Sequence, residues 1–259
     1  MNLQIDTRAA NGYHSHSQIG RVISERWVQN QLYCPFCGED KLEPYENNRP
    51  VADFHCTRCN EQFELKSKNG KETLRIVDGA YATMIQRITS DENPNFLLMF
   101  YSGAPLQVQQ LILVPKYFLS TDMVQKRKPL PENARRAGWV GCNLHLDRVP
   151  DDGMIRIVEN GRETERREVL TVAKRTRFLS SFAQDRRGWL LDTIQCIQRI
   201  AKPVFTLEEV YAFTEELSLK YPLNHHIRDK LRQQLQLLRD HGYVEFLGNG
   251  LYRITTMTK

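Results

Sequence analysis

The chain lacks any apolar run approaching the roughly 20 residues that span a bilayer as a helix, and membranes are not among its expected partners. It also lacks internal repeats and low-complexity tracts, which argues against a solenoid or a disordered tail. The opening residues MNLQIDTRAANGYHSHSQ have no apolar core of the signal-peptide kind, so the expected location is the cytoplasm. Excess charge of one sign is small. A formal net charge of +5 permits an anionic partner without demonstrating one. Cysteine is scarce, with six in 259 residues, and a reducing compartment disfavours disulfides and favours metal ligation for those that are paired. Cys142 and Cys196 stand alone in WVGCNL and LDTIQCIQRI and read as core residues without chemistry.

The other four, Cys34, Cys37, Cys56 and Cys59, form C-x2-C-x18-C-x2-C. Two tight knuckles of this kind present four thiolates tetrahedrally to Zn2+, the alternatives being a redox pair or unligated cysteines. Four thiolates leave no open position, so such a zinc braces the fold and activates no water. The same stretch carries charges that a cage does not need: Asp53 in RPVADF, and Glu64 and Lys66 in QFELKSK. Alternate residues of a strand share a face, so Glu64 and Lys66 project together. If the strand carrying Asp53 pairs with theirs, two carboxylates and an ammonium converge. Asp53 and Glu64 then suit Mg2+, and Lys66 suits a water or a charged phosphate. The ordinary reading of Glu-x-Lys on a strand is an exposed ion pair, and spacing alone does not decide between them.

The length fits one large domain or two smaller ones. Ile19, Val22, Ile23, Trp27 and Val28 fall at helical spacing behind a Ser15 or Ser17 cap. FLLMFY (96–101) and VQQLILV (108–114) predict buried strands, and Ala80, Met84, Ile85 and Ile88 predict a helix connecting strands of one sheet, which together make the first part α/β. Between 115 and 185 the pattern is weaker, and RETERREVLTVAKRTR predicts a solvated helix or loop. The last seventy or so residues carry three helical patterns. Trp189, Ile194, Ile197 and Ile200 mark the first. TLEEVYAFTEEL opens on Thr206 and Glu209 at capping-box spacing, and the third starts at Asn224 with Ile227, Leu231, Leu235 and Leu238 on one face. A hairpin around Gly248-Asn249-Gly250 follows, and three helices with a hairpin predict a winged helix-turn-helix. The expected domains are 1–183 and 184–259.

QKRKPL and ARRAGW interleave cations with an aromatic, as a phosphate-tracking surface does. Lys126, Arg127, Lys128, Arg135 and Arg136 are DNA-binding candidates, a solvated loop being the alternative. Trp139 suits base stacking or a core position. In the third helix Arg228, Arg232 and Gln233 fall off the apolar stripe and suit a major groove, although such folds also bind proteins. His225 and His226, adjacent at a helix start with no cysteine nearby, read as cap or phosphate contacts, metal ligands being the alternative.

RPVADF followed by FELKSK resembles the PD-(D/E)xK nuclease motif, in which the aspartate, glutamate and lysine sit on paired strands. The likeness extends through YCPFCG, ENNRPVADF, DGAYATM, QRIT, NPNF, RKPL, ARRAGWVGCN, RRGW, FTLEEVY and LRQQLQLLRD to nearly the whole chain. Together these stretches resemble the DpnI-like, methyl-directed type IIM restriction endonucleases. The resemblance implies a PD-(D/E)xK core with an embedded four-cysteine zinc site, followed by a winged helix. It implies Mg2+-dependent cleavage of double-stranded DNA at GATC containing N6-methyladenine. By this resemblance Asp53, Glu64 and Lys66 are catalytic, Asp53 and Glu64 hold Mg2+, and the four cysteines hold Zn2+. A monomer is expected. The rival is a non-catalytic zinc and winged-helix regulator binding methylated sites, which has no use for Asp53, Glu64 and Lys66 in this register. An N6-methyl adds a small apolar group in the major groove and calls for an apolar pocket, to which no residue is assigned.

Overall fold

The computed structural model describes residues 1–46, 52–90 and 93–255; residues 47–51 of the ENNRPVADF stretch lie outside the described residues. The chain divides into one unit of Met1–Arg148 with Asp152–Lys174 and a second of Val149–Asp151 with Arg175–Lys259. In the first, α1 (His16–Gln31) precedes β1 (Glu43–Pro44), β2 (Phe54–His55), β3 (Gln62–Asn69) and β4 (Arg75–Ala80). Then come α2 (Tyr81–Thr89), β5 (Asn95–Ser102), β6 (Gln107–Val114), β7 (Val124–Lys126), β8 (Gly141–His145), β9 (Ile155–Glu159), β10 (Arg162–Glu163) and α3 (Arg166–Thr176), whose last two residues fall in the second unit. Among the described residues, one mixed sheet runs β1-β2-β3-β5-β6-β9-β10 and a second runs β4-β8-β7.

The two apolar runs are the middle of the larger sheet. β5 is a central strand, paired with β3 in parallel on one edge and with β6 antiparallel on the other, and its consecutive residues from Asn95 to Tyr101 are buried, so both of its faces are covered. A strand covered on both faces reads as a continuous apolar run. α1 begins with Ser15 at the N-cap position and buries Ile23, Trp27 and Val28 in a core shared with Leu97, Met99, Leu111 and Ile157. Full burial of each such apolar side chain stabilises by about 1.5–3 kcal/mol.

The crossover from β3 to β5 differs from the predicted single helix. It does contain α2, but β4 comes first and belongs to the second sheet. The charged segment 162–177 also differs from a wholly solvated one: it holds β10 and α3, and Val169 and Ala173 of α3 are buried in the core. Cys142 and Cys196 are buried, as expected of core cysteines.

In the second unit α4 (Gln184–Ile200) leads to β11 (Val204–Thr206), α5 (Leu207–Tyr211), α6 (Thr214–Lys220), α7 (Ile227–Asp240), β12 (Val244–Gly248) and β13 (Leu251–Ile254). The capping box forms: Glu209 N–H donates to Thr206 Oγ1 at 3.2 Å and Thr206 N–H to Glu209 Oε2 at 2.8 Å. The helix it opens is split. The Thr214 hydroxyl donates to Tyr211 O at 2.6 Å, competing with the helical ladder at the break between α5 and α6. α7 starts at Ile227 and not at Asn224, whose Oδ1 accepts the His226 N–H at 2.8 Å in the turn before the helix. Ile227, Leu231, Leu235 and Leu238 of α7 are buried as one face. β12 and β13 pair around Gly248, Asn249 and Gly250, all at positive φ, where glycine and asparagine are the residues that fit. The unit is helix-turn-helix-like, with a hairpin. Among the described residues no helix is long and apolar enough to cross a membrane.

Candidate active site and metal cage

β3 is eight residues long, yet β2 covers only Phe63 and Gln62 of its edge. The exposed ladder groups beyond need other partners. Asp53 supplies them: its N–H donates to Phe63 O at 2.9 Å, and its Oδ2 accepts the Leu65 N–H at 2.7 Å. The carboxylate thereby sits on the backbone between Glu64 and Lys66. It also lines a cavity of about 600 Å3 with Tyr13, Arg21, Glu25 and Tyr45. Burial raises the Glu25 carboxyl above its usual range, Arg21 opposing the shift and the charge of Asp53 adding to it.

Glu64 and Lys66 occupy the face of β3 that meets β4 and α2. Lys66 Nζ donates to Glu64 Oε1 at 2.6 Å and to Asp78 Oδ1, on β4, at 2.7 Å. Arg87 Nη1, on α2, donates to Glu64 Oε2 at 3.0 Å. Charges alternate along Arg87, Glu64, Lys66 and Asp78, with side chains 18%, 14%, 21% and 6% exposed. Burial raises the Glu64 carboxyl, and Lys66 and Arg87 offset part of that rise. Burial works against the Lys66 charge too, but the carboxylates of Glu64 and Asp78 outweigh it and hold the ammonium above the ordinary lysine range. Lys66→Met leaves two buried carboxylates without their shared cation. It is expected to destabilise the first unit by about 3–5 kcal/mol, measured by urea melting, and a change below about 1 kcal/mol would mean that water screens the cluster.

The cysteines meet through two copies of one turn. Gly38 N–H donates to Cys34 O and Asn60 N–H to Cys56 O, each at 2.9 Å, with Gly38 at φ +74° and Asn60 at φ +59°. The residue after each second cysteine thus takes the left-handed conformation that glycine and asparagine tolerate. The sulfurs lie 3.6 Å apart for Cys34 and Cys59, 3.5 Å for Cys37 and Cys56, and all four within 4.8 Å. A disulfide needs about 2.05 Å. Four thiolates on tetrahedral zinc stand about 3.8 Å apart, from Zn–S bonds of about 2.3 Å. The group is a possible metal site whose donors suit zinc. Burial pushes the Cys34 thiol far up and Cys59 up to about 11. At Cys56 burial also raises the thiol, but backbone N–H donors of Cys59 and Arg58 outweigh it and leave it lowered.

The chain matches the Dam-replacing family (DpnI) over residues 1–182 and the Dam-replacing HTH domain over residues 185–254. It belongs to the Dam-replacing family. Membership implies a methyl-directed, restriction-endonuclease-like function, and the HTH domain implies DNA binding.

Outside this cluster, the family member's remaining candidates fall on two surfaces, one in each unit. Lys126 ends β7, and Arg127, Lys128, Arg135 and Arg136 are exposed in the loop leading to β8. Trp139 is half-buried, with the Arg136 guanidinium 4.6 Å from its ring centroid and its ring against Gly141, where an added Cβ would lie 2.8 Å from it. Arg228, Arg232 and Gln233 are exposed on α7; Arg228 lies over the Tyr211 ring at 4.9 Å, and Gln233 Oε1 accepts Lys230 Nζ at 2.8 Å. His225 and His226 are exposed, and His226 takes the N-cap position of α7 without a side-chain cap bond. Three residues of the first unit that sequence reasoning did not single out join the site: Glu25, Asp78 and Arg87. Asp78 sits mid-strand in RIVDGA, where an acid at an inward position of an alternating strand is the one available cue.

Proposed function

We propose that the chain is a Mg2+-dependent endonuclease cleaving double-stranded DNA at GATC sites that carry N6-methyladenine, with Asp53, Glu64 and Lys66 as its catalytic residues. The observation that carries the reading is Asp53 anchored to the Leu65 N–H, between Glu64 and Lys66, in a chain of this family. The fold assigned to the first part, residues 1–183, is a PD-(D/E)xK core with a structural Zn2+ on Cys34, Cys37, Cys56 and Cys59. Residues 184–259 are assigned as a winged helix that reads DNA.

Asp53 and Glu64 are the residues that would hold Mg2+. The donor set fits, because Mg2+ is commonly held by one or two carboxylates together with substrate phosphates and waters, and not by an all-protein cage. When bound, the ion supplies charge neutralisation at the phosphate and a more acidic water. The chain's own part is placement. Asp53 is fixed by the Leu65 N–H, Glu64 is oriented by Arg87, and the Lys66 ammonium offers protons for hydrogen bonds to a phosphate oxygen or a water. Lys126, Arg127, Lys128, Arg135 and Arg136 supply phosphate contacts from the first unit, and Trp139 a base contact. Arg228, Arg232 and Gln233 supply groove contacts from α7.

Plasmid from an adenine-methylating host and the same plasmid unmethylated, each incubated with the chain and Mg2+, test the reading. Fragments confined to the methylated plasmid, and lost on chelation of Mg2+, are expected. Cutting of both plasmids contradicts methyl direction, and cutting of neither favours a DNA-binding regulator.

A further inference from the structure

The Asp78 carboxylate is 6% exposed, and only one of its oxygens is engaged. Oδ1 accepts Lys66 Nζ at 2.7 Å and the Gly79 N–H at 2.6 Å, while Oδ2 is buried without a hydrogen-bond partner. A buried carboxylate oxygen left unpaired weakens a fold, and an asparagine here would keep the shape at less cost. The strand is also irregular at this point. The β4–β8 register runs Asp78↔Cys142 and then Ala80↔Gly141, so Gly79 is an extra residue and the ladder is bulged beside Asp78. Bulges re-aim side chains and gather near functional sites.

The second partner of Lys66 has other engagements. Glu64 gives Oε1 to Lys66 and Oε2 to Arg87, so any cation that claims a Glu64 oxygen competes with one of them. Asp78 stands on a different strand of a different sheet, so its bond to Lys66 does not need a Glu64 oxygen. Lysine is a point charge on a flexible four-carbon stem and needs such a fixed partner to stay aimed.

We propose that Asp78 is a positioning residue: from the bulge of β4 it holds the Lys66 ammonium in working orientation when Glu64 turns to another ligand. This rests on the nuclease reading of the same site. The free Oδ2 is the cost of keeping a charged residue where packing alone would prefer a neutral one.

Full-length Asp78→Asn and Asp78→Glu test it through single-turnover cleavage of a methylated GATC duplex, affinity for that duplex without divalent ions, and melting temperature. Asp78→Asn is expected to slow cleavage about 10–100-fold, with duplex affinity and melting temperature at wild-type level, and Asp78→Glu to restore part of the rate. Wild-type cleavage by Asp78→Asn overturns the proposal. So does a loss of rate that tracks a loss of melting temperature and that Asp78→Glu fails to relieve. A melting cycle needs no activity: the drop caused by Lys66→Met should shrink at least by about half in an Asp78→Asn background, since less buried charge is stranded. Equal drops in both backgrounds overturn the pairing. If the wild-type chain does not cleave at all, the nuclease reading falls, and the melting cycle still decides whether Asp78 holds Lys66.

Discussion

Glu64→Gln and Asp53→Asn are each expected to reduce cleavage of methylated duplex by on the order of 10³-fold or more, since a metal-binding carboxylate supports several kcal/mol of transition-state stabilisation. The amides keep the shape of the side chains. Duplex affinity should stay close to wild type, because it comes from phosphate and base contacts outside these two residues. Gel assays of cleavage with parallel anisotropy titrations separate the two effects. Cleavage within about tenfold of wild type in both variants would remove the site assigned here.

Of that pair, Glu64 shares a face with Lys66 for a local reason, while Asp53 joins them only through a strand pairing that its own segment does not specify. FELKSK alternates, and the two-residue spacing puts Glu64 and Lys66 on one face of β3 whatever the rest of the chain does. The apolar runs of β5 and β6 carry their burial in their composition, and the α7 stripe carries its period. Asp78 and Arg87 were not legible, because their place depends on a crossover that passes through a second sheet before returning to the first. The pairing of β4 with β8 joins residues 75–80 to 141–145, and nothing within either segment specifies the other. The cage was legible as four cysteines, while the matching left-handed Gly38 and Asn60 that close its turns would have needed the two knuckles to be compared residue by residue.

Loss of a cage cysteine is the second large effect. Cys34→Ser or Cys59→Ser should take bound zinc from one equivalent per chain to near zero and unfold the segment around β1 and β2. Those strands are two residues each and supply little packing of their own. Apparent zinc-binding energies of about 10–16 kcal/mol in small cysteine cages match or exceed the ~5–15 kcal/mol that holds a typical domain together. Cys34 and Cys56 are fully buried within the first unit's core, so the loss reaches beyond the turns. Cys142→Ser, outside the cage, should leave metal content unchanged. Metal analysis of protein purified without chelator checks both. A wild-type chain with well under one zinc, or a Cys34→Ser chain that melts like wild type, would show that the four thiols brace nothing.

Methyl-directed cleavage at one sequence is read out with defined duplexes. Three end-labelled duplexes are needed: one with GATC carrying N6-methyladenine on both strands, the same sequence unmethylated, and one with N6-methyladenine in GTAC. With Mg2+ and excess enzyme, strand scission is expected in the first duplex alone, within its GATC site. Equal scission of the methylated and unmethylated GATC duplexes, or binding of the first without scission at any Mg2+ concentration, would contradict it.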